Sequence, residues 1–141
     1  MNEQEMRQAM GALEAYKAQL EAVNEQGQLL QMSLEDYSRA KDTLEAVAKG
    51  QPGEEILMPV GGSAYVYASI ARSDRVLVGV GTGVSVDKPM EDAIATVEVR
   101  IGELMDALKK ISESRTVVES KMQQLSQVIQ QEYQRMQQGL K

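Results

Sequence analysis

The feature that most constrains the fold is a heptad spacing of mostly apolar residues in the C-terminal part of the chain. From Met90 to Met136 these positions follow one another in strictly alternating steps of four and three residues. We call them the seam of the helix, and they are Met90, Ile94, Val97, Ile101, Leu104, Leu108, Ile111, Arg115, Val118, Met122, Leu125, Ile129, Glu132 and Met136. Such spacing is typical of a coiled coil, because it keeps one stripe facing a partner helix. We therefore predict a long helix over about 88–140, with Pro89 at its first position.

The N-terminal part of the chain carries a matching seam. From Tyr16 to Ala48 the steps again alternate between four and three residues, and residues 2–49 contain no proline. The sequence therefore predicts a helix over about 2–49. Gly50 is expected to end it in the left-handed conformation, and Pro52 prevents the helix from continuing.

Before Tyr16 this seam looks irregular. Met6, Met10, Leu13 and Tyr16 are separated by four, three and three residues, so one step of the alternation is missing. An irregularity of this kind is a stammer, which overwinds a coiled coil locally. We therefore expect a stammer near the start of the first helix.

The two predicted helices have similar lengths and are joined by a short segment, so we expect them to pack antiparallel. A register that places Ala48 opposite Met90 also places Gly27 opposite Ile111, a small residue against a large one. In the same register Met136 and Leu140 extend beyond the facing seam. This predicts exposed apolar side chains at the end of the helical pair that carries the chain termini.

Between the helices, residues 55–87 change to the alternating pattern of β-strands. Gly61-Gly62 predicts one hairpin turn, and the segment gives four strands in two hairpins. Four valine-rich strands cannot bury both faces alone, so we expect an oligomer in which hairpins close a β-barrel. The predicted class is α+β, in a single domain spanning 1–141. The expected oligomerisation residues are Val66, Ile70, Val76, Val78, Val80, Val84 and Val86.

Three glycines, Gly79, Gly81 and Gly83, lie between a strand-like run and a helix, as in phosphate-binding loops. The Gly-Lys-Ser or Gly-Lys-Thr ending of the phosphate loop is absent, and residues 84–86 are still strand-like. A helix that begins on the glycines is what a backbone anion site requires. We therefore predict a tight turn with positive φ at Gly81 or Gly83, and no cofactor.

The composition narrows the possible functions further. The chain has no His and no Cys, which removes the commonest general base and the thiolate and imidazole metal ligands. We predict neither catalysis nor a metal site.

The net charge of −6 argues against a nucleic-acid partner. No apolar run is long enough for a membrane span, and the charged N-terminus lacks a signal-peptide core, so we expect a cytoplasmic protein.

The order helix, two hairpins, helix, with the runs "ILMPVGGSAYVYASI" and "RVLVGVGTGVSVDKPMEDAI", resembles the alpha-class subunit of prefoldin in its archaeal type. The resemblance implies a hexamer of two alpha and four beta-class subunits with projecting coiled coils. It also implies an ATP-independent chaperone that holds non-native proteins at the coil tips and delivers them to a group II chaperonin. The residues expected to bind clients are Met6, Met10, Leu13, Ile129, Tyr133, Met136 and Leu140.

A second interpretation stays open alongside the chaperone. Projecting coiled coils also suit a structural scaffold or spacer subunit that binds no client, and the ends of such coils would be capped or would dimerise. Apolar residues that extend beyond the partner helix favour the chaperone.

Overall fold

The computed structural model describes residues 2–139. In chain order it contains α1 (Glu3–Lys49), β1 (Glu55–Gly61), β2 (Ala64–Ser69), β3 (Arg75–Gly79), β4 (Ser85–Pro89) and α2 (Met90–Gly139). The predicted α+β class, with two hairpins between two long helices, is confirmed. The described residues form two compact units: residues 2–31 with 106–139, here the terminal unit, and residues 32–105, here the hairpin unit.

In the terminal unit the two helices pack antiparallel along their seams. Ile111 and Val118 of α2 are buried, and so is Gly27 of α1. A Cβ atom built on Gly27 would lie 3.2 Å from Ile111 Cγ2, so this glycine leaves the space that the isoleucine fills. The predicted pairing of Gly27 with Ile111 is confirmed. The contact follows the rule that large and small residues alternate across a tightly packed interface.

The predicted stammer in α1 is wrong. Ala9 is buried, whereas Met10 is exposed and Met6 and Leu13 are half-buried. The seam therefore runs through Met6, Ala9, Leu13 and Tyr16, which restores the alternation of three and four residues. A small residue was passed over in favour of the larger Met10 beside it. The heptad is continuous, and Met10 is directed away from the partner helix.

In the hairpin unit the helices also pack antiparallel, and Val97 and Leu104 of α2 are buried. Polar contacts cross between the helices: the Arg100 guanidinium carbon lies 5.9 Å from the centroid of the Tyr37 ring. Lys41 Nζ lies 3.6 Å from Glu98 Oε1. These pairs agree with the predicted register, in which Tyr37 faces Ile101.

The end of α1 differs from the prediction at Gly50. Positive φ occurs at Gly53 (φ 92°) and not at Gly50. Gly50 is required for a different reason, because a Cβ there would lie 2.5 Å from Ile70 Cδ1. The Gly53 N–H donates a hydrogen bond of 2.7 Å to the Ile70 carbonyl. Together these contacts fix the end of β2 against the end of α1.

The first hairpin pairs β1 with β2 in antiparallel register, with Leu57 opposite Tyr67 and Met58 opposite Val66. Its turn lies one residue later than predicted, at Gly62-Ser63, whose φ angles are 59° and 60°. Positive φ at both central residues is typical of the type I′ turn, which matches the twist of the strands. The shift is produced by an irregularity in the pairing between Pro59 and Gly61.

The second hairpin pairs β3 with β4, with Val78 opposite Val86 and Arg75 opposite Pro89. Pro89 therefore ends a strand and does not begin the helix, which is a correction of the predicted boundary by about one residue. Proline is tolerated there because a strand end needs no N–H donor from it. The N–H of Met90, the first residue of α2, donates instead to the Asp74 carbonyl at 2.8 Å.

The predicted turn between the hairpins is held by an ion pair. Arg72 donates from Nε and Nη2 to the two carboxylate oxygens of Asp74, at 3.0 and 2.9 Å. This hydrogen bonding holds the pKa of the Asp74 carboxyl below its usual value. Because Asp74 also accepts the N–H of Met90, the turn joins β3 to the start of α2.

Candidate functional site

The two hairpins are separate two-stranded sheets, β1–β2 and β3–β4. Among the described residues each strand therefore has a hydrogen-bonded neighbour on one side only. Isolated two-stranded sheets are marginally stable in water, and unpaired strand edges readily accept strands from other chains. The hairpins form a candidate surface for assembly.

The side chains of the hairpins point to the same conclusion. Tyr67 is 77 % exposed and Leu77 is 70 % exposed, although both lie in the middle of strands. Soluble proteins seldom leave several large apolar side chains uncovered on one pair of sheets unless a partner covers them. The other exposed members of this surface are Leu57, Val60, Tyr65, Val66, Val80, Val84 and Val86.

The residues predicted for oligomerisation fall into three groups. Val66, Val80, Val84 and Val86 are exposed, and Val76 and Val78 are half-buried. Val80 and Val84 lie outside the strands, flanking the turn and joined by a hydrogen bond of 3.0 Å from Val80 N–H to the Val84 carbonyl. Ile70 is only 5 % exposed, since it packs under Gly50, so its side chain is not available to a partner.

The predicted interface did not include Leu57, Tyr65, Tyr67 and Leu77, among which are the most exposed apolar residues of the hairpins. The prediction followed the alternating valines and left out the positions between them. The runs Ala64–Ala68 and Val76–Val78 are apolar without interruption. An uninterrupted apolar run is typical of a strand that is covered on both faces, and this signal could have found them.

A groove in the hairpin unit lies beside these strands. It has a volume of about 490 Å³ and is lined by α1 at Ala40 and Leu44, by Met58 of β1, by Val78 of β3 and by Val97 of α2. The half-buried Val76 and Val78 are therefore accessible from this groove. Its lining is mostly apolar, which makes it suitable for burying a side chain or strand from a partner.

The second candidate surface is the tip, the part of the helical pair near the chain termini. Of the predicted client-binding residues, Met10, Tyr133 and Met136 are exposed, with Tyr133 at 61 %. Met6, Leu13 and Ile129 are half-buried in the seam. Leu140 lies outside the described residues. Val128 is also exposed and was missed, because it precedes a seam position and belongs to no heptad stripe.

The glycine loop is a turn. Gly81, Thr82 and Gly83 all have positive φ, of 87°, 54° and 77°, which confirms the predicted conformation. The Val84 N–H donates to the Gly81 carbonyl at 3.1 Å, so this backbone group is used inside the turn. β4 follows before α2 begins, and the glycines therefore do not lie at a helix N-terminus.

In residues 2–139 no cluster of three or more acidic side chains is arranged to hold a metal ion. None of the helices in the described part of the chain is long and apolar enough to cross a membrane.

Comparison with known proteins gives consistent matches. A family model described as "Prefoldin subunit" matches residues 16–135. A prefoldin subunit alpha of Methanothrix thermoacetophila is 34 % identical over 110 residues, which are 78 % of this chain and 72 % of that protein. A prefoldin subunit alpha of Methanococcoides burtonii is 30 % identical over 128 residues, covering 91 % and 93 %.

Two solved structures have the same fold. A cryo-EM structure of filamentous PFD from Methanocaldococcus jannaschii matches with a TM-score of 0.65 and 25 % identity, over 82 % of this chain and 95 % of that one. A crystal structure of the prefoldin beta subunit from Thermococcus strain KS-1 matches with a TM-score of 0.62 over 90 % of each chain. At 20 % identity the second likeness concerns the fold alone.

Proposed function

The chain belongs to the prefoldin family of chaperone subunits, and we propose that it is an alpha-class subunit that assembles through its hairpins and holds non-native proteins at its tip. The observation that carries this proposal is the distribution of exposed apolar side chains. The seam residues are covered by the facing helix, while large apolar side chains are exposed on the hairpins and at the tip. Others are exposed along the coil between them, at Leu29, Met32, Val99, Met105 and Val117.

Assembly through the hairpins is supported by the unpaired strand edges and by the exposure of Tyr67 and Leu77. Strands from neighbouring subunits would satisfy the free N–H and C=O groups and bury these side chains in a closed β-barrel. By analogy with the family, we propose a hexamer of two copies of this chain with four beta-class subunits. Val66, Val76, Val78, Val80, Val84 and Val86 remain proposed contributors to this interface, and the buried Ile70 does not.

Client binding at the tip is supported by Met10, Tyr133 and Met136, which are exposed on helices whose seams are packed. Methionine adapts to irregular apolar surfaces, so it suits partners without a fixed structure. Each tip would bind weakly, and several tips acting on one client would bind by avidity. We propose that holding needs neither ATP nor catalysis, and that the client passes to a group II chaperonin in the cytoplasm.

We further propose that residues 1–141 act as a single domain, since both helices continue from one compact unit into the other. A scaffold subunit that binds no client is the alternative function. It is less well supported, because a coil that only spaces its neighbours has no need of an exposed tyrosine and two methionines at its end.

A second form of assembly is supported by one comparison. The structure from Methanocaldococcus jannaschii, which this chain matches over 95 % of that chain, is described as filamentous. In an open polymer made of this chain alone, the unpaired edges of the hairpins would also form hydrogen bonds with strands of neighbouring copies. Such a polymer therefore competes with the hexamer as the product of assembly.

Native mass spectrometry separates these forms. The chain would be measured alone and after mixing with a beta-class prefoldin subunit. We expect a single hexameric species of two alpha and four beta-class chains in the mixture. A ladder of homo-oligomers that persists with the beta-class subunit present would favour the filament, and a monomer in both samples would contradict assembly through the hairpins.

A further inference from the structure

One seam position in the terminal unit is occupied by a charged residue that makes a specific contact. Arg115 of α2 lies between the apolar seam residues Ile111 and Val118, and its Nε donates a hydrogen bond of 2.9 Å to Asn24 Oδ1 of α1. Gly27 lies beside this arginine, since a Cβ there would be in van der Waals contact with Arg115 Nη2 at 3.5 Å. The arginine is thus matched by an acceptor on α1, and Gly27 within one turn of that acceptor is matched by Ile111.

The hairpin unit has a corresponding residue on the other helix. Lys41 occupies a seam position of α1, and its Nζ lies 3.6 Å from Glu98 Oε1 of α2 and 3.9 Å from Glu45 Oε1 of α1. Its side chain is one-third exposed. Each unit therefore contains one cation in an otherwise apolar stretch of seam, and each cation is matched by the facing helix.

The apolar seam residues cannot specify the register by themselves. Moving α2 by seven residues would place Leu30 opposite Arg115 and Val118 opposite Gly27, while most other positions would still pair apolar with apolar. Along the seam the matched polar positions would be lost, and at the hairpin end the contacts of Gly50 with Ile70 and of Met90 with Asp74 also oppose the shift. A polar residue at one seam position is known to select register and partner in coiled coils, because every other arrangement leaves it unpaired.

Arg115, Lys41 and Gly27 also disfavour pairing between two copies of the same helix. A parallel pair of α2 helices would bring two Arg115 side chains together, and a parallel pair of α1 helices would do the same for Lys41 and would leave a gap at Gly27. Like charges and unfilled space both destabilise such pairs.

We propose that Arg115 with Asn24 and Gly27, and Lys41 with Glu98, are the specificity determinants of the coil, selecting the α1–α2 pairing and its register over shifted and homotypic pairings. This goes beyond the proposed chaperone function and does not depend on it. In an assembly that brings several identical coils together, such selection keeps each coil from exchanging partners with its neighbours.

The chain has no cysteine, so distances between two introduced spin labels can test the proposal directly. Glu25→Cys and Glu113→Cys place exposed labels on α1 and α2 of the terminal unit, near the Arg115–Asn24 contact. Labelled chain is diluted with unlabelled chain, and the distances are measured by pulsed electron paramagnetic resonance. The test variant replaces both polar partners, Asn24→Leu and Arg115→Leu.

With the native seam we expect one narrow distance distribution. In the double variant we expect a second population at a longer distance, because a shift of one heptad moves the facing positions apart by about 10 Å along the helix axis. A single Glu113→Cys label without dilution should also show new short distances between chains. The matched control is Lys121→Leu, which removes a cation 5.9 Å from the Tyr16 ring but leaves the seam unchanged. It should keep the single narrow distribution.

One narrow distribution in the double variant, together with no new distances between chains, would overturn the proposal. If the double variant loses helicity by circular dichroism, Arg115→Leu alone serves as the second variant. Its unpaired Asn24 can still reach water, because Asn24 is exposed. A single native distance in that variant would equally overturn the proposal.

Discussion

A chain carrying Tyr67→Lys is expected to fold into its helices and hairpins but to remain monomeric when mixed with its partner subunits. Tyr67 is 77 % exposed in the subunit, so lysine is accommodated there without disturbing the chain itself. In the assembly the change removes roughly 1.5–3 kcal/mol of apolar burial per copy. It also places an ammonium group in a closing barrel, which costs several more kcal/mol unless the group is paired.

The measurement is molar mass by light scattering, with far-UV circular dichroism to confirm that the helices are intact. Tyr133→Lys is the matched control, because it makes the same change at a tyrosine that is 61 % exposed at the tip. The control should assemble normally. Assembly of the Tyr67→Lys chain with the mass of the unmodified complex would show that the hairpin surface is not the interface.

Replacing the exposed apolar residues of the tip by glutamine is expected to abolish holding activity and to spare assembly. The triple variant Met10→Gln, Tyr133→Gln, Met136→Gln keeps good helix formers at these positions. Each lost side chain removes roughly 1.5–3 kcal/mol of possible burial against a client. Because several tips act together, the loss of avidity should weaken binding by a factor of about 100 or more.

The assay is suppression of aggregation of denatured citrate synthase in the absence of ATP. The control replaces three apolar residues that are equally exposed but lie away from the tip: Leu29→Gln, Met32→Gln and Val117→Gln. We expect the control complex to protect as well as the unmodified one. Equal loss in both variants would mean that clients bind along the coil and not at its end.

The helices were the most predictable part of the fold. The spacing of the seam residues from Met90 to Met136 alternates without exception, so it predicts which side chains face the partner helix. As predicted, Val97, Leu104, Ile111 and Val118 are buried, one in every seven residues. The error near the start of α1 arose where the seam residue is Ala9. Alanine gives a weaker hydrophobic signal in the sequence than the neighbouring methionine, although its small size allows it to be buried between two helices.

The hairpins were predictable in number and order but less so in detail. Their turn positions depend on local backbone geometry: Ser63 and Thr82 adopt positive φ although they are not glycines. The role of Gly50 could not be predicted either, since it depends on Ile70, which lies twenty residues away in the sequence. Contacts of this kind depend on the assembled fold and leave no periodic signal.

The candidate surfaces were only partly predictable for a related reason. Periodicity predicts which residues a chain buries against itself, and so it found Met136 as a seam residue without a partner. It does not distinguish a strand face that is exposed to solvent from one that another subunit covers. Tyr67 and Leu77 were therefore missed, because periodicity within one chain does not show whether another subunit covers them.

Photo-cross-linking from the tip tests the central claim most directly. A benzophenone amino acid is placed at Tyr133, or at the equally exposed Leu29 as control, and each assembled complex is irradiated with a denatured client. The account predicts that the client is cross-linked from position 133 and not from position 29. Cross-linking from position 29 alone, or no cross-linking at 133 while aggregation is still suppressed, would contradict it.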